Sequence, residues 1–276
     1  MVVINIQGRL GNQMFGFALY RQLERLGKEA YVDFSHEPLI DFFDFPYKII
    51  DKETAREYLK DRDNRNIVKR WEYRIFPHRC RCYEEKKTGV FDKNVLRLDD
   101  VYLNGYWQSE RYFEGVIEEV RCMYRFPDLL SEYQKRVLDE IQRKQSVSVH
   151  IRRGDYLEHP ELYGTITMDY YECAMKYIQE RKENVYFYIF TNDIPWAEQN
   201  FRGENVFVVE DGGSPVTDNL DMALMSACKD NIIANSSFSW WGAWLNQNQD
   251  RIVVAPKKWE LNRSTRDIWC EEWVRL

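Results

Sequence analysis

From Val147 to Ala255 the chain alternates short apolar runs with longer amphipathic ones, and this alternation constrains the fold more than any other feature. Val147 to Ile151, Val185 to Phe190, Val206 to Val209, Asn231 to Ala234 and Ile252 to Ala255 read as strands. Tyr170 to Arg181, Trp196 to Asn200, Leu220 to Ala227 and Trp240 to Asn246 read as the helices between them. Strands separated in this way cannot pair through tight hairpins, so they predict a parallel sheet with right-handed helical crossovers. The amino-terminal end opens with the same alternation. A strand from Val2 to Ile6 leads through a glycine-bearing turn from Gln7 to Gln13 into a helix from Met14 to Leu26, which Gly27 stops before a strand from Ala30 to Phe34. Val101 to Tyr106 reads as a further strand, and Arg111 to Met123 and Leu129 to Arg143 as helices, whereas Ile40 to Tyr83 reads as a mostly helical insertion. A chain of 276 residues accommodates two α/β halves. The polar stretch Arg143-Lys144-Gln145 sets the expected boundary, with domains at 1–143 and 144–276.

Bulk charge excludes some functions. A net charge of −6 does not suit a general binder of nucleic acid or anionic membrane, so any phosphate site must be local. The six cysteines are scattered through a chain too large to need stapling, which predicts reduced thiols in a cytoplasm. No secretory signal opens the sequence, and the longest charge-free run, Asn231 to Gln249, is too rich in Asn, Ser and Gln to span a bilayer. A cytoplasmic enzyme is expected, with no transmembrane segment. The basic stretch between Lys69 and Lys87 leaves peripheral contact with the inner face of a membrane, or with a lipid-linked acceptor, open.

In a parallel sheet, ligands bind beyond the carboxyl ends of the strands, so the residues just after each strand are the informative ones. Three of these ends are polar: Arg152-Arg153-Gly154-Asp155, Thr191-Asn192-Asp193 and Asn235-Ser236-Ser237. Alternation along Ser146 to Arg152 puts Ser148, His150 and Arg152 on one face and Val147, Val149 and Ile151 on the other. An arginine fork at a strand end suits a diphosphate, because it offers permanently charged, planar donors. Asn192 and Asp193 fit either a donor site or a plain turn. Hydroxyls and free amides at the start of the helix after Asn235 favour an anion, and Trp240 and Trp244 share a core-facing side of that helix. Asp221 sits near the start of a predicted helix, where a carboxylate is stabilising in its own right.

Three segments resemble the signatures of family 11 glycosyltransferases, the α-1,2-fucosyltransferases: Gly8-Arg9-Leu10-Gly11-Asn12-Gln13-Met14-Phe15, His150-Ile151-Arg152-Arg153-Gly154-Asp155-Tyr156 and Asn235-Ser236-Ser237-Phe238-Ser239-Trp240-Trp241-Gly242-Ala243-Trp244. The resemblance implies an α/β, GT-B-like pair of Rossmann-type domains facing across a cleft, with the acceptor on the first and GDP-L-fucose on the second. It implies inversion at the anomeric carbon, a galactose-terminated acceptor and no required metal or cofactor. By the same resemblance, Arg152 contacts the donor diphosphate, Asp221 the guanine edge, and Ser236, Ser237 and Phe238 form a donor loop. His150, Arg153, Asn192 and Asp193 complete the expected donor site. Arg9, Gly11, Asn12 and Gln13 fall at the cleft on the acceptor side.

Asp155 and Glu158 are the carboxylates nearest Arg152 in sequence and hence the candidate bases for the incoming hydroxyl. The Asp-x-Asp at Asp61-Arg62-Asp63 lies in a charge-rich helical stretch and reads as a solvated face, not as a metal site. His78-Arg79-Cys80-Arg81-Cys82 has no usual zinc spacing.

Overall fold

The computed structural model describes residues 1–62, 80–154, 166–210, 215–261 and 265–276. Two compact units divide the chain, Met1–Arg125 with Arg266–Ile268 and Phe126–Thr265 with Trp269–Leu276. The division therefore falls after Arg125 and not at 143/144. A helix spanning Glu132–Arg143 lies between the two positions, and it packs on a helix of the second unit and runs directly into that unit's first strand. Its start is fixed by a capping box in which Ser131 Oγ accepts the Gln134 N–H at 3.2 Å and Gln134 Oε1 accepts the Ser131 N–H at 3.1 Å.

Unit 1 holds β1 (Val2–Ile6), α1 (Leu10–Arg25), β2 (Ala30–Phe34), α2 (Lys52–Arg62), β3 (Cys82–Glu84), β4 (Val101–Asn104) and α3 (Ile117–Met123). Its four strands are all parallel in the order β2-β1-β4-β3. β1 is buried along its whole length, as a central parallel strand covered on both faces must be. α1 begins four residues earlier than its apolar periodicity suggests. Gly8, at φ +76°, turns the chain so sharply that Arg9 is already the N-cap, and Gly11, Asn12 and Gln13 lie in the first helical turn and not in a loop. The insertion contains strand β3, which its weak pattern did not reveal. The expected helix from Arg111 is two 3-10 turns, Glu110–Tyr112 and Glu114–Val116, before α3 begins. Gly115 interrupts the run and its N–H goes to Gln22 Oε1 on α1 at 3.0 Å.

Unit 2 begins with α4 (Glu132–Arg143) and continues through β5 (Gln145–Ile151), α5 (Met168–Gln179), β6 (Val185–Thr191), α6 (Ile194–Asn200), β7 (Val206–Val208) and α7 (Pro215–Ala227). It ends with β8 (Asp230–Ile232), α8 (Ser237–Leu245), β9 (Val253–Ala255) and β10 (Val274–Arg275). The sheet is parallel throughout, in the order β10-β9-β8-β5-β6-β7. The chain thus builds outward from β5 to β7, returns, and builds outward again from β8 to β10, which is the doubly wound dinucleotide-binding order.

The expected alternation along β5 holds. Val147, Val149 and Ile151 lie in one apolar core with Tyr171, Ala174 and Ile178 of α5, each large aliphatic side chain contributing about 1.5–3 kcal/mol by leaving water. The opposite face carries polar groups that satisfy one another. Asn231 Nδ2 donates to Ser148 Oγ at 2.7 Å and to the Met225 carbonyl at 2.8 Å, while Asn231 Oδ1 accepts from Asn246 Nδ2 at 2.7 Å. No helix among the described residues is long and apolar enough to cross a membrane.

Candidate active site

The winding of unit 2 reverses between β5 and β8, and a sheet of this kind takes its ligand at that point, beyond the carboxyl ends of the strands. The register sets Val149 beside Ile232. The same register carried three residues further pairs Arg152, the first residue past β5, with Asn235, which precedes the Ser236 N-cap of α8. The two motifs that stand far apart in sequence therefore meet at one rim.

His150 is 6% exposed, and its ring lies against that of Phe238 in the first turn of α8, centroids 5.8 Å apart. Its carbonyl accepts a hydrogen bond from the Tyr171 hydroxyl at 3.2 Å, and its Nδ1 has no partner among the described residues. Burial, reinforced by the nearby positive charge of Arg152, pushes the imidazole down to about 3, so it is neutral at physiological pH. The unfolded imidazole takes a proton below about pH 6.5 while the folded one resists until about pH 3. This residue's contribution to stability is therefore complete above pH 6.5 and is lost as the pH falls through that window, by about 2 kcal/mol at pH 5. Urea unfolding of the wild type and of His150→Gln at pH 7 and pH 5 checks this. The wild type should lose about 2 kcal/mol more than the variant on acidification, and equal losses would contradict a buried neutral ring.

Arg153 points the other way. Its Nε donates to Asp193 Oδ2 at 3.0 Å, its guanidinium lies 4.0 Å from the centre of the Trp196 ring, and its N–H donates to Asn192 Oδ1 at 3.0 Å. Asp193 also caps α6 by accepting the Trp196 N–H at 3.2 Å. Arg153, Asn192 and Asp193 thus form the brace that holds the turn after β5, and of the two readings open for Asn192 and Asp193 the structure displays the turn. Gly154, at φ +44°, completes it: a Cβ there would stand 2.6 Å from Asn192 Nδ2. Asp155 and Glu158 lie outside the described residues.

Ser236 is the N-cap of α8, yet its hydroxyl makes no capping bond and no acidic side chain occupies the first turn. The first amides of the helix have no helical acceptor, and Ser237 and Phe238 are half-buried. The dipole and these amides favour an anion there. Trp240 and Trp244 are buried core residues, as their shared helical face indicates.

Asp221 is half-buried in the seventh position of α7 and not near a helix start, because Pro215 opens that helix five residues before the predicted beginning. Met225 of α7 packs on Gly242 of α8, where a Cβ would meet Met225 Cε at 3.0 Å. Both helices return from the carboxyl rim of the sheet, and Asp221 lies one turn before Met225 on α7 as Phe238 lies one turn before Gly242 on α8. Asp221 thus lies within α7 and not at a helix start.

In unit 1 the fit between Gly8 and Asn12 mirrors that between Gly154 and Asn192: a Cβ on Gly8 would stand 2.6 Å from Asn12 Nδ2. Gln13 is fully buried and internally satisfied. Its Nε2 donates to the Gly8 and Glu37 carbonyls at 3.0 and 2.8 Å, and its Oε1 accepts the Ile40 N–H at 3.1 Å. It fastens the turn and the segment after β2. Gly11 is buried, whereas Arg9 is exposed at the head of α1. Sequence reasoning passed over Gln7 and the segment after β4. Both follow the carboxyl ends of strands in the first sheet, which is the signal that marks them.

Known proteins are similar to this chain over most or all of its length. The O-antigen biosynthesis glycosyltransferase WbnK of Escherichia coli is 40% identical over 98% of this chain and 99% of its own length. An Escherichia coli alpha-1,2-colitosyltransferase is 32% identical over 100% and 99%. A galactoside alpha-(1,2)-fucosyltransferase 1 of Rattus norvegicus is 26% identical, covering 86% of this chain and 61% of that protein. Among solved structures, an Arabidopsis thaliana FUT1 mutant in complex with GDP superposes with a TM-score of 0.52 at 10% identity, over 94% of this chain and 71% of that one, which shows a shared fold. The model of one family, Glycosyl transferase family 11, spans residues 1–276. Two parallel α/β units and a matching sequence from first residue to last lead to one conclusion: this chain belongs to glycosyl transferase family 11.

Proposed function

We propose that the enzyme transfers L-fucose from GDP-L-fucose to the 2-hydroxyl of a terminal galactose in an oligosaccharide or lipid-linked glycan, in the cytoplasm. The observation that carries this reading is the winding reversal of unit 2, where the register of β5 and β8 brings the end of β5, followed by Arg152, beside the segment that leads to the uncapped start of α8. That pair supplies a cationic fork and oriented amides for a diphosphate. Asp221, one turn before the contact of α7 with α8, is the proposed partner of the guanine edge, and the paired rings of His150 and Phe238 are a proposed wall of the donor site. Unit 1 is the proposed acceptor side.

In the proposed step the galactose oxygen attacks C1 of fucose from the side opposite the diphosphate. The bond from C1 to the β-phosphate oxygen breaks, its electron pair leaves with GDP, and the anomeric centre inverts. Negative charge grows on the leaving diphosphate, where Arg152 stabilises it. Asp155 or Glu158 takes the hydroxyl proton.

A second donor is favoured by a specific likeness. The 32% identical relative is a colitosyltransferase, and colitose is L-fucose without its 3-hydroxyl. GDP-colitose is therefore the alternative donor. Assay of GDP-fucose, GDP-colitose, GDP-mannose and UDP-galactose with a β-galactoside acceptor separates the readings: GDP-fucose should be used best. Preference for GDP-colitose would replace the sugar, and preference for a uridine donor would overturn the guanine assignment.

We further propose that no metal takes part, since Arg152 and helix amides hold the diphosphate charge. The same assay in excess chelator should run at full rate. Activity lost to the chelator and restored by manganese or magnesium would contradict this.

A further inference from the structure

Unit 1 has a winding reversal of its own. β1 and β4 are adjacent and parallel, with β2 outside β1 and β3 outside β4, so the segments leaving β1 and β4 open the crevice at which such a sheet takes a ligand. The segment after β4 is held in a costly state. Trp107 has φ +56°, which an L-residue with a bulky side chain rarely adopts, and its fully buried indole N–H has no partner among the described residues. Strain of this kind persists where the surroundings over-determine it, and it gathers at ligand sites.

The surroundings here are specific. Gln7 Nε2 donates to the Gly105 carbonyl at 3.1 Å, the Tyr106 N–H donates to Glu85 Oε2 at 2.7 Å, and Gln108 Nε2 donates to Asn12 Oδ1 at 2.8 Å. Just before these contacts the side chains form a relay across the strands: Ser35 Oγ donates to Asn5 Oδ1 at 2.7 Å, Asn5 Nδ2 to Asn104 Oδ1 at 2.7 Å, and Asn104 Nδ2 to Glu84 Oε2 at 2.7 Å. The two glutamines differ from that relay. Each commits its N–H end to the scaffold, and the Oε1 of each makes no hydrogen bond among the described residues. The carbonyl facing Gln7 accepts only, which fixes the direction of that amide. Gln7 is half-buried and Gln108 is 7% exposed, so both are anchored.

The two free acceptors thus stand on either side of the reversal, after β1 and after β4, and both are uncharged. Such oxygens suit the hydroxyl groups of a neutral sugar and do not suit an anion. We infer that Gln7 and Gln108 determine acceptor specificity, each accepting a hydrogen bond from a hydroxyl of the acceptor sugar. This rests on the reading of unit 1 as the acceptor side.

The test uses the full chain with GDP-fucose, phenyl β-D-galactoside and its 3-, 4- and 6-deoxy analogues. A site built to bond a hydroxyl rejects the analogue lacking it. The wild type should therefore discriminate against at least one deoxy acceptor by about 10-fold or more in kcat/KM. Gln7→Met or Gln108→Met should raise the acceptor KM by about 10-fold, leave GDP affinity within about twofold, and abolish the discrimination at one hydroxyl. Gln108→Glu keeps an oxygen acceptor, with the Asn12 amide turned to donate, and should retain the discrimination. That separates recognition from a general loss of the loop. Undiminished discrimination in both methionine variants, or a defect in GDP affinity instead, overturns the inference and leaves the proposed reaction standing. Failure of the wild type to use any galactoside overturns the acceptor reading and this inference with it.

Discussion

Arg152→Lys should fold normally and lower kcat by about 10² to 10³, while the donor KM moves much less. Lysine keeps the charge but loses the planar fork, and so loses the bidentate contact with the β-phosphate that strengthens as the diphosphate departs. Removing a preorganised donor of this kind costs about 2.7–4 kcal/mol in the transition state. The neighbouring Arg153→Lys is the control. Its guanidinium already braces Asp193 and stacks on Trp196 on the other face of the strand end, so its replacement should act on stability and only modestly on kcat. Steady-state kinetics with thermal unfolding of both variants checks the pair. Near-normal turnover in Arg152→Lys, or the larger kinetic loss in Arg153→Lys, would mean that the wrong arginine faces the diphosphate.

Asp221→Ala is expected to weaken GDP binding by about 1.5–3 kcal/mol, roughly 10- to 150-fold, and to spare acceptor binding. A carboxylate accepting from the guanine edge reads two N–H groups that uracil does not present in the same arrangement. The variant should therefore also lose its preference for GDP over UDP. Because Asp221 lies well inside α7, helix-end electrostatics contributes little, and alanine is the better helix former at that position. Thermal unfolding of the variant separates a loss of contact from a loss of fold. Calorimetry with both nucleotides decides it: unchanged affinity and selectivity would remove Asp221 from the donor site.

How far these roles could be read from sequence depended on the range of the interaction that fixes them. The period-2 pattern of Ser146 to Ile151 is local, and it puts Val147, Val149 and Ile151 on one face and Ser148 and His150 on the other, as the structure has them. Strand-end polarity likewise located the rim of unit 2. Helix starts were less legible. The start of α7 is hidden because Asp211-Gly212-Gly213-Ser214-Pro215 reads as a loop, whereas Pro215 is the first helical residue; the start of α1 is hidden because Leu10-Gly11-Asn12-Gln13 lacks the apolar rhythm that marks a helix.

Long-range pairing was not legible at all. Asn231, Ser148 and Asn246 give no signal in a linear scan, yet together they satisfy the polar interior beside β5 and β8. β3 is three residues long and owes its strand state to the backbone of β4. The segment around Trp107 combines an unfavourable φ with a buried indole, a state that local preference argues against and only tertiary packing can hold.

Linkage analysis of the product tests the central claim most directly. Incubation of the enzyme with GDP-L-fucose and a β-galactoside, followed by two-dimensional nuclear magnetic resonance of the product, should show an α-fucosyl residue on O2 of galactose. Fucose on any other galactose oxygen, a β-linked product, or no transfer from a guanosine diphosphate sugar would contradict it.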